Sequence, residues 1–209
     1  MRTLVVVDIQ NDFLPGGALA VPRGDEVIEP INRLQQAFDL VVATQDWHPP
    51  NHGSFATSHP GKKPGDHVVL GGVDQVLWPP HCVQGTHGAA FAPGLDTSRF
   101  AKVFRKGVDP DIDSYSTFFD NAHKRSTGLE AWLRERGVEE VWLAGLATDY
   151  CVLYSVRDAR RLGFRTFVVR EGCRAIELEP GDEARAWEEM EALGAHVVHV
   201  EDAFAELRV

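Results

Sequence analysis

Six short apolar runs, rich in β-branched residues, are spaced along the chain at residues 4–7, 40–44, 101–104, 140–146, 165–169 and 196–200. They are continuous rather than alternating, the pattern expected of strands covered on both faces. Helical periodicity fills most of the gaps. Residues 25–38 put Val27, Ile28, Ile31, Leu34 and Phe38 on one face. Residues 128–136 carry Leu129, Trp132 and Leu133, and residues 150–162 carry Val152, Leu153, Val156 and Ala159. A fourth pattern, 180–193, has Pro180 near its first turn and stops before Gly194, the usual asymmetry of helix ends. Strand alternating with helix builds βαβ units with right-handed crossovers. The expected fold is therefore α/β, in three layers: a six-stranded, mainly parallel sheet with helices on both faces.

A chain of 209 residues reads as a single domain, 1–209, large enough to bury a core without disulfides. Its three cysteines, Cys82, Cys151 and Cys173, are too few and too odd in number for a disulfide framework, and fit a reducing compartment. The formal net charge of −10 argues against nucleic acid, which needs a concentrated basic surface. The run at 4–7 is too short for a secretory signal, and no apolar stretch approaches the ~20 residues that span a bilayer. The expectation is a cytoplasmic protein with no membrane partner; a homo-oligomer is left open.

One segment breaks the rhythm. Residues 45–98 show little periodicity and hold many Pro, Gly and His residues. A loop of that length inside a compact domain is usually functional. In open α/β sheets ligands bind beyond the carboxyl ends of the strands, and chemistry-bearing residues fall at those ends: Asp8, Asp46, Lys106 and the turn that leads to Cys151. The stretch Gly145-Leu146-Ala147-Thr148-Asp149-Tyr150-Cys151 reads as a strand, a small-residue turn and a thiol where a helix begins. Unpaired N–H groups at a helix start favour thiolate over thiol. Taken singly, each residue has a plainer reading. A lone cysteine opening a helix is more often a small buried apolar group, Asp8 a turn residue, Lys106 surface charge. Three such groups at three strand ends make an active-site layout.

The long loop opens with Asp46-Trp47-His48 and later reaches Trp78-Pro79-Pro80-His81-Cys82. Asp-x-His offers an oxygen and an imidazole side by side, and a distant histidine can complete a three-ligand site for Zn²⁺, Fe²⁺ or Mn²⁺ with open positions. Spacing leaves the choice open, because His52, His59, His67 and His87 lie nearby.

Five blocks together carry a resemblance: Asp8 with Phe13, Asp46-Trp47-His48, Trp78-Pro79-Pro80-His81-Cys82, Phe104-Arg105-Lys106-Gly107, and Leu146-Ala147-Thr148-Asp149-Tyr150-Cys151-Val152. In this order they resemble the nicotinamidase branch of the isochorismatase-like cysteine hydrolase family, over residues 3 to about 200. The resemblance implies that family's hydrolase fold and the hydrolysis of nicotinamide to nicotinate and ammonia, through a thioester, in NAD salvage. It implies Cys151 as nucleophile, Asp8 as general base and acid, and Lys106 as the cation between them. It further implies one divalent metal on Asp46, His48 and His81, and a pyridine slot built by Phe13 and Trp78 with Ala147 and Tyr150. Family members have a cis peptide before the position of Ala147 and use the N–H groups at Ala147 and Cys151 as an oxyanion hole. Tyr150 departs from the pattern, since several nicotinamidases have histidine there, and this bears on fine substrate preference. The alternatives are another amidase of the family, acting on a carbamoyl or ureido substrate, and a non-catalytic binding relative.

Overall fold

The computed structural model describes residues 1–207. The elements run β1 (Arg2–Val7), α1 (Ile28–Gln35), β2 (Leu40–Asp46), β3 (His67–Leu70), β4 (Val73–Val76), β5 (Phe100–Lys106), α2 (Leu129–Arg134), β6 (Glu140–Leu146), α3 (Leu153–Arg161), β7 (Arg165–Arg174), α4 (Asp182–Ala192), β8 (His196–Val198) and α5 (Val200–Leu207). Six strands form one sheet in the order β5-β2-β1-β6-β7-β8, each neighbouring pair parallel. The strand alternation sorts side chains to two faces. Val5, Val7, Val42, Leu143 and Val168 pack against α2, α3 and α4 through Leu129, Leu133, Val156 and Met190. Leu4, Val6, Ala43, Trp142 and Phe167 face the other way, toward Ile31 and Leu34 of α1 and Ala203 of α5. The three-layer architecture is the expected one. No helix among the described residues is long and apolar enough to cross a membrane.

This strand order creates a crevice. β1 pairs with β2 on one side and β6 on the other, so the chain leaves the two central strands in opposite directions. The carboxyl ends at such a switch point cannot be covered by their own connections. Asp8 leaves β1 at that point and the Cys151 turn leaves β6. Gly145 makes the close approach possible: a Cβ there would lie 2.1 Å from the carbonyl oxygen of Val7.

Four local expectations change. β5 is an edge strand, and Val103 is 37% exposed; an apolar run reads alike at an edge and at the centre. The run 196–200 is not strand to its end. The Glu171 carboxylate accepts the Val200 N–H at 2.8 Å and contacts His199 Nδ1 at 2.6 Å, which caps the first turn of α5. Residues 45–98 are not structureless, because β3 and β4 pair as an antiparallel hairpin. Gly71 and Gly72 turn it with φ of 64° and 93°, the backbone a two-residue hairpin loop demands. Finally, α3 begins at Leu153, after a wide π-helical turn at Thr148–Val152. Cys151 therefore sits inside that turn and not on the first residue of a regular helix.

Candidate active site

Asp8, Lys106 and Cys151 meet in space, and all three are buried. Asp8 takes φ 52° as β1 ends. Its Oδ1 accepts the Thr44 hydroxyl at 2.7 Å. Its Oδ2 lies 2.8 Å from Lys106 Nζ, an ion pair without the alignment of a hydrogen bond. Lys106 Nζ also donates to the Ser114 carbonyl at 2.9 Å, reaches Cys151 Sγ at 3.4 Å and contacts Asp46 Oδ1. A carboxylate oxygen of Asp8 and one of Asp46 lie within 4.8 Å of the Cys151 sulfur.

The electrostatics follow from burial and from two carboxylates around one ammonium. Burial pushes Asp8 up to about 6, with the Lys106 charge pulling the other way and Asp46 reinforcing the rise. Burial works against the Lys106 ammonium, but the Asp46 and Asp8 charges outweigh it and hold the group well above its ordinary value. Cys151 is pushed up, first by burial and then by the Asp8 and Asp46 charges; Lys106 offsets only part of this. The π-helical turn places the sulfur beside two carboxylates that the sequence does not show to be near it. Asp8 and Asp46 both bring a carboxylate oxygen close enough to take up a proton from it.

The second set lies alongside. His48 Nε2 is 3.6 Å and His81 Nε2 3.8 Å from Asp46 Oδ2. Each ring is fixed through its other nitrogen: His48 Nδ1 on the Gly107 carbonyl at 2.9 Å, and His81 Nδ1 on the Pro79 carbonyl at 2.8 Å. A carbonyl can only accept, so both rings present an Nε2 lone pair toward Asp46. His48 Nε2 is buried with no hydrogen-bond partner, a position that an ion would satisfy. Gly107 is needed behind it, since its φ is 63° and a Cβ would lie 2.3 Å from His48 Cε1. The backbone of Asp46 is clamped by the Gln10 amide, which accepts from its N–H and donates to its C=O, both at 2.8 Å. One carboxylate and two imidazoles with neighbours at these distances can hold a divalent metal. Of the other loop histidines, His52 packs beside His48, with ring centroids 4.4 Å apart, while His59, His67 and His87 are outside the cluster.

Both sets open on one cleft, about 340 Å³ of space that includes open solvent at its mouth. Phe13, Trp78, Ala147, Tyr150 and Cys151 line it together with Asp46 and His81. The structure thus brings every sequence-derived candidate to one place. The Leu146–Ala147 peptide bond is cis, and the Ala147 carbonyl accepts the N–H groups of Tyr150 and Val152 at 3.2 and 3.1 Å. Cys173 is buried elsewhere in the core, while Cys82 is buried beside His81 with its carbonyl accepting the His48 N–H at 3.0 Å; burial raises both thiols, that of Cys173 to about 12.

Sequence reasoning missed Thr44, Asp113 and Tyr115. Thr44 left a trace, as a hydroxyl two positions before Asp46 within an apolar strand. Asp113 and Tyr115 lie on the irregular segment after β5 and left none. The Tyr115 hydroxyl accepts Trp78 Nε1 at 3.0 Å and Gln75 Nε2 at 2.6 Å, and its ring packs on Tyr150 at 5.4 Å. Tyr150 itself packs on Trp78, 4.9 Å between centroids.

An α/β sheet with a buried cysteine–aspartate–lysine cluster at its carboxyl edge defines a class of hydrolase-like folds. Comparison with known proteins narrows it. The isochorismatase domain family matches residues 2–202. The nicotinamidase of Escherichia coli (strain K12) is 47% identical over 205 residues, covering 96% of each chain. A solved Acinetobacter baumanii nicotinamidase/pyrazinamidase superposes with a TM-score of 0.93 at 46% identity, over 96% of this chain and 97% of that one. The Pyrococcus horikoshii pyrazinamidase, solved in complex with zinc, gives 0.76 at 38% identity over 95% and 98%. The chain belongs to the isochorismatase domain family.

Proposed function

We propose that this protein is an amidohydrolase that cleaves nicotinamide to nicotinate and ammonia, feeding NAD salvage. The observation that carries the reading is the single ammonium of Lys106, 2.8 Å from Asp8 Oδ2 and 3.4 Å from Cys151 Sγ. It places a proton acceptor and a sulfur nucleophile around one fixed cation. The named activity of relatives that match this chain over nearly its whole length supports the same reaction.

The steps follow from these residues. Asp8 takes the Cys151 proton as the sulfur attacks the carboxamide carbon, and Lys106 holds both groups while charge moves between them. The C=O π electrons go to oxygen, where backbone N–H groups of Ala147 and Cys151 meet the charge, an effect worth about 2.7–4 kcal/mol per donor. Protonated Asp8 then gives its proton to the departing nitrogen, the C–N bond breaks, and ammonia leaves a thioester on Cys151. Asp8 next accepts a proton from water as that water attacks the thioester; the C–S bond breaks, Asp8 returns its proton to the sulfur, and the free acid leaves. Phe13, Trp78 and Tyr150 hold the ring. Asp46, His48 and His81 would hold a divalent ion, which supplies a Lewis acid for the pyridine nitrogen and draws electrons from the ring.

The cleft lining favours a neutral aromatic amide over carbamoyl acids. No arginine or lysine is among the described residues that line it, while Asp46 and Asp113 are. A carboxylate on the substrate would meet those two acids, while the Lys106 ammonium behind Cys151 is already paired with Asp8 and Asp46. Ammonia release measured across nicotinamide, carbamoyl acids and ureides tests this. Turnover should be fastest with nicotinamide. Faster release from a carbamoyl acid would transfer the assignment to that class.

A further inference from the structure

Asp113 has no part in the chemistry above, yet it is 2% exposed and forms part of the cleft wall. Its carboxylate and ring nitrogens of His48 and His52 lie within 4.8 Å of one another. One oxygen, Oδ1, accepts the Ser114 N–H at 2.7 Å; the other has only Gln75 Nε2, at 3.5 Å. His48 Nε2 and His52 Nε2 are both buried without a hydrogen-bond partner. The backbone N–H of Ser54 donates to His52 Nδ1 at 3.1 Å. The Ser54 hydroxyl also lies 2.7 Å from that nitrogen, so Ser54 anchors the His52 ring, which stands outside the Asp46–His48–His81 set. His48 Nε2 is different. It points its lone pair at Asp46 and belongs at once to the Asp46–His48–His81 set and to the space beside Asp113.

Charge bookkeeping gives Asp113 a task. Asp8 and Asp46 carry two negative charges against the one positive charge of Lys106, all buried. Metal-binding imidazoles are neutral. A divalent ion on Asp46, His48 and His81 would leave one buried positive charge in excess, and an unbalanced buried charge is strongly disfavoured. Asp113 is the carboxylate beside that set which cancels it.

We propose that Asp113 is the counter-charge of the ion site, a positioning residue that stands outside the Asp46–His48–His81 set and retains the second positive charge of a divalent ion. The inference rests on the reading that these three residues hold such an ion. It assigns the affinity of the site partly to a segment that supplies none of the three ligands.

Zinc affinity, measured by chelator competition on metal-stripped full-length protein, tests it, with the melting temperature of the stripped form as a second readout. Asp113→Asn should weaken zinc binding by roughly 10–100-fold, the range for outer partners of metal ligands. Asp113→Glu, which keeps the charge, should recover most of the loss. The stripped Asp113→Asn protein should melt no lower than the stripped wild type, because the variant removes an unbalanced negative charge. Asp113→Ser serves the same comparison if the amide variant does not fold. Wild-type zinc affinity in either uncharged variant would overturn the proposal. A stripped variant that melts well below wild type yet binds zinc normally would make Asp113 a purely structural residue. Wild-type protein that takes up no zinc would instead remove the reading on which the inference rests.

Discussion

Asp8 Oδ2 lies 2.8 Å from Lys106 Nζ, and neither side chain is exposed to solvent. Lys106 Nζ also reaches the Cys151 sulfur at 3.4 Å, a thiol that burial pushes up. An acid–base role for Asp8 makes sense only in its ionised form, and burial places its titration at about 6. The rate should therefore fall as pH drops below about 6, tenfold per unit once the limb is developed. The stability effect has the opposite sign. A carboxyl whose folded-state value is raised binds its proton more tightly folded than unfolded, so this group favours folding more as pH falls from about 6 toward 3.8. Activity should accordingly fade before the fold does, which a kcat/KM profile beside a pH series of melting temperatures will check.

Asp8→Asn keeps the shape of the side chain and removes the proton acceptor. It should cut the rate of acylation by roughly 10²–10⁴-fold, the usual range for a positioned base. Single-turnover kinetics on a folded variant measure it directly.

His81→Ala should lose bound metal and raise KM, because its ring is one of two that present a lone pair to Asp46. Metal loss should act on ring orientation more than on the sulfur chemistry. His52→Ala should keep its metal, since His52 Nδ1 is engaged by Ser54 and the ring stands outside the Asp46–His48–His81 set. Elemental analysis of both variants separates the two histidines. Chelation should also lower the melting temperature of wild type, as removal of any ligand bound to the native state does.

Gly107→Ala puts a methyl group 2.3 Å from His48 Cε1 at a backbone φ of 63°. Both effects disfavour it, by about 1–3 kcal/mol for the backbone alone. The His48 ring must move, so metal content and melting temperature should fall together.

Tyr115→Phe removes the acceptor for Trp78 Nε1 and Gln75 Nε2. A buried donor left without a partner costs about 1–3 kcal/mol, which chemical denaturation will register. Because Trp78 lines the cleft, KM for nicotinamide should rise as well.

The layers of this fold were legible because hydrophobic burial writes a continuous run for each covered strand and a one-sided stripe for each helix. β6, buried from Glu140 to Leu146, is the clearest case. What escaped was set by single polar contacts. Glu171 ends β8 early by capping α5, and Gly71-Gly72 folds a hairpin out of strands too short and polar to show a period. The site divides the same way. Asp8, Asp46, Lys106 and Cys151 sit at or just beyond strand ends, where topology makes position meaningful. Asp113 and Tyr115 sit on an irregular segment held by hydrogen bonds such as Tyr115 N–H to Asn121 Oδ1, 2.9 Å, and no period marks such residues. The electrostatic setting of Cys151 was hidden for a related reason: it depends on Asp8 and Asp46, which are distant in sequence and adjacent only in the fold.

The central claim is that Cys151 becomes acylated, and intact-mass spectrometry of enzyme quenched during nicotinamide turnover tests it most directly. Wild type and Cys173→Ala should both show one nicotinoyl group per chain that maps to the peptide containing Cys151. Cys151→Ala, folded by melting temperature, should show no adduct and release no ammonia above background. Ammonia release by Cys151→Ala at a substantial fraction of the wild-type rate would contradict the account.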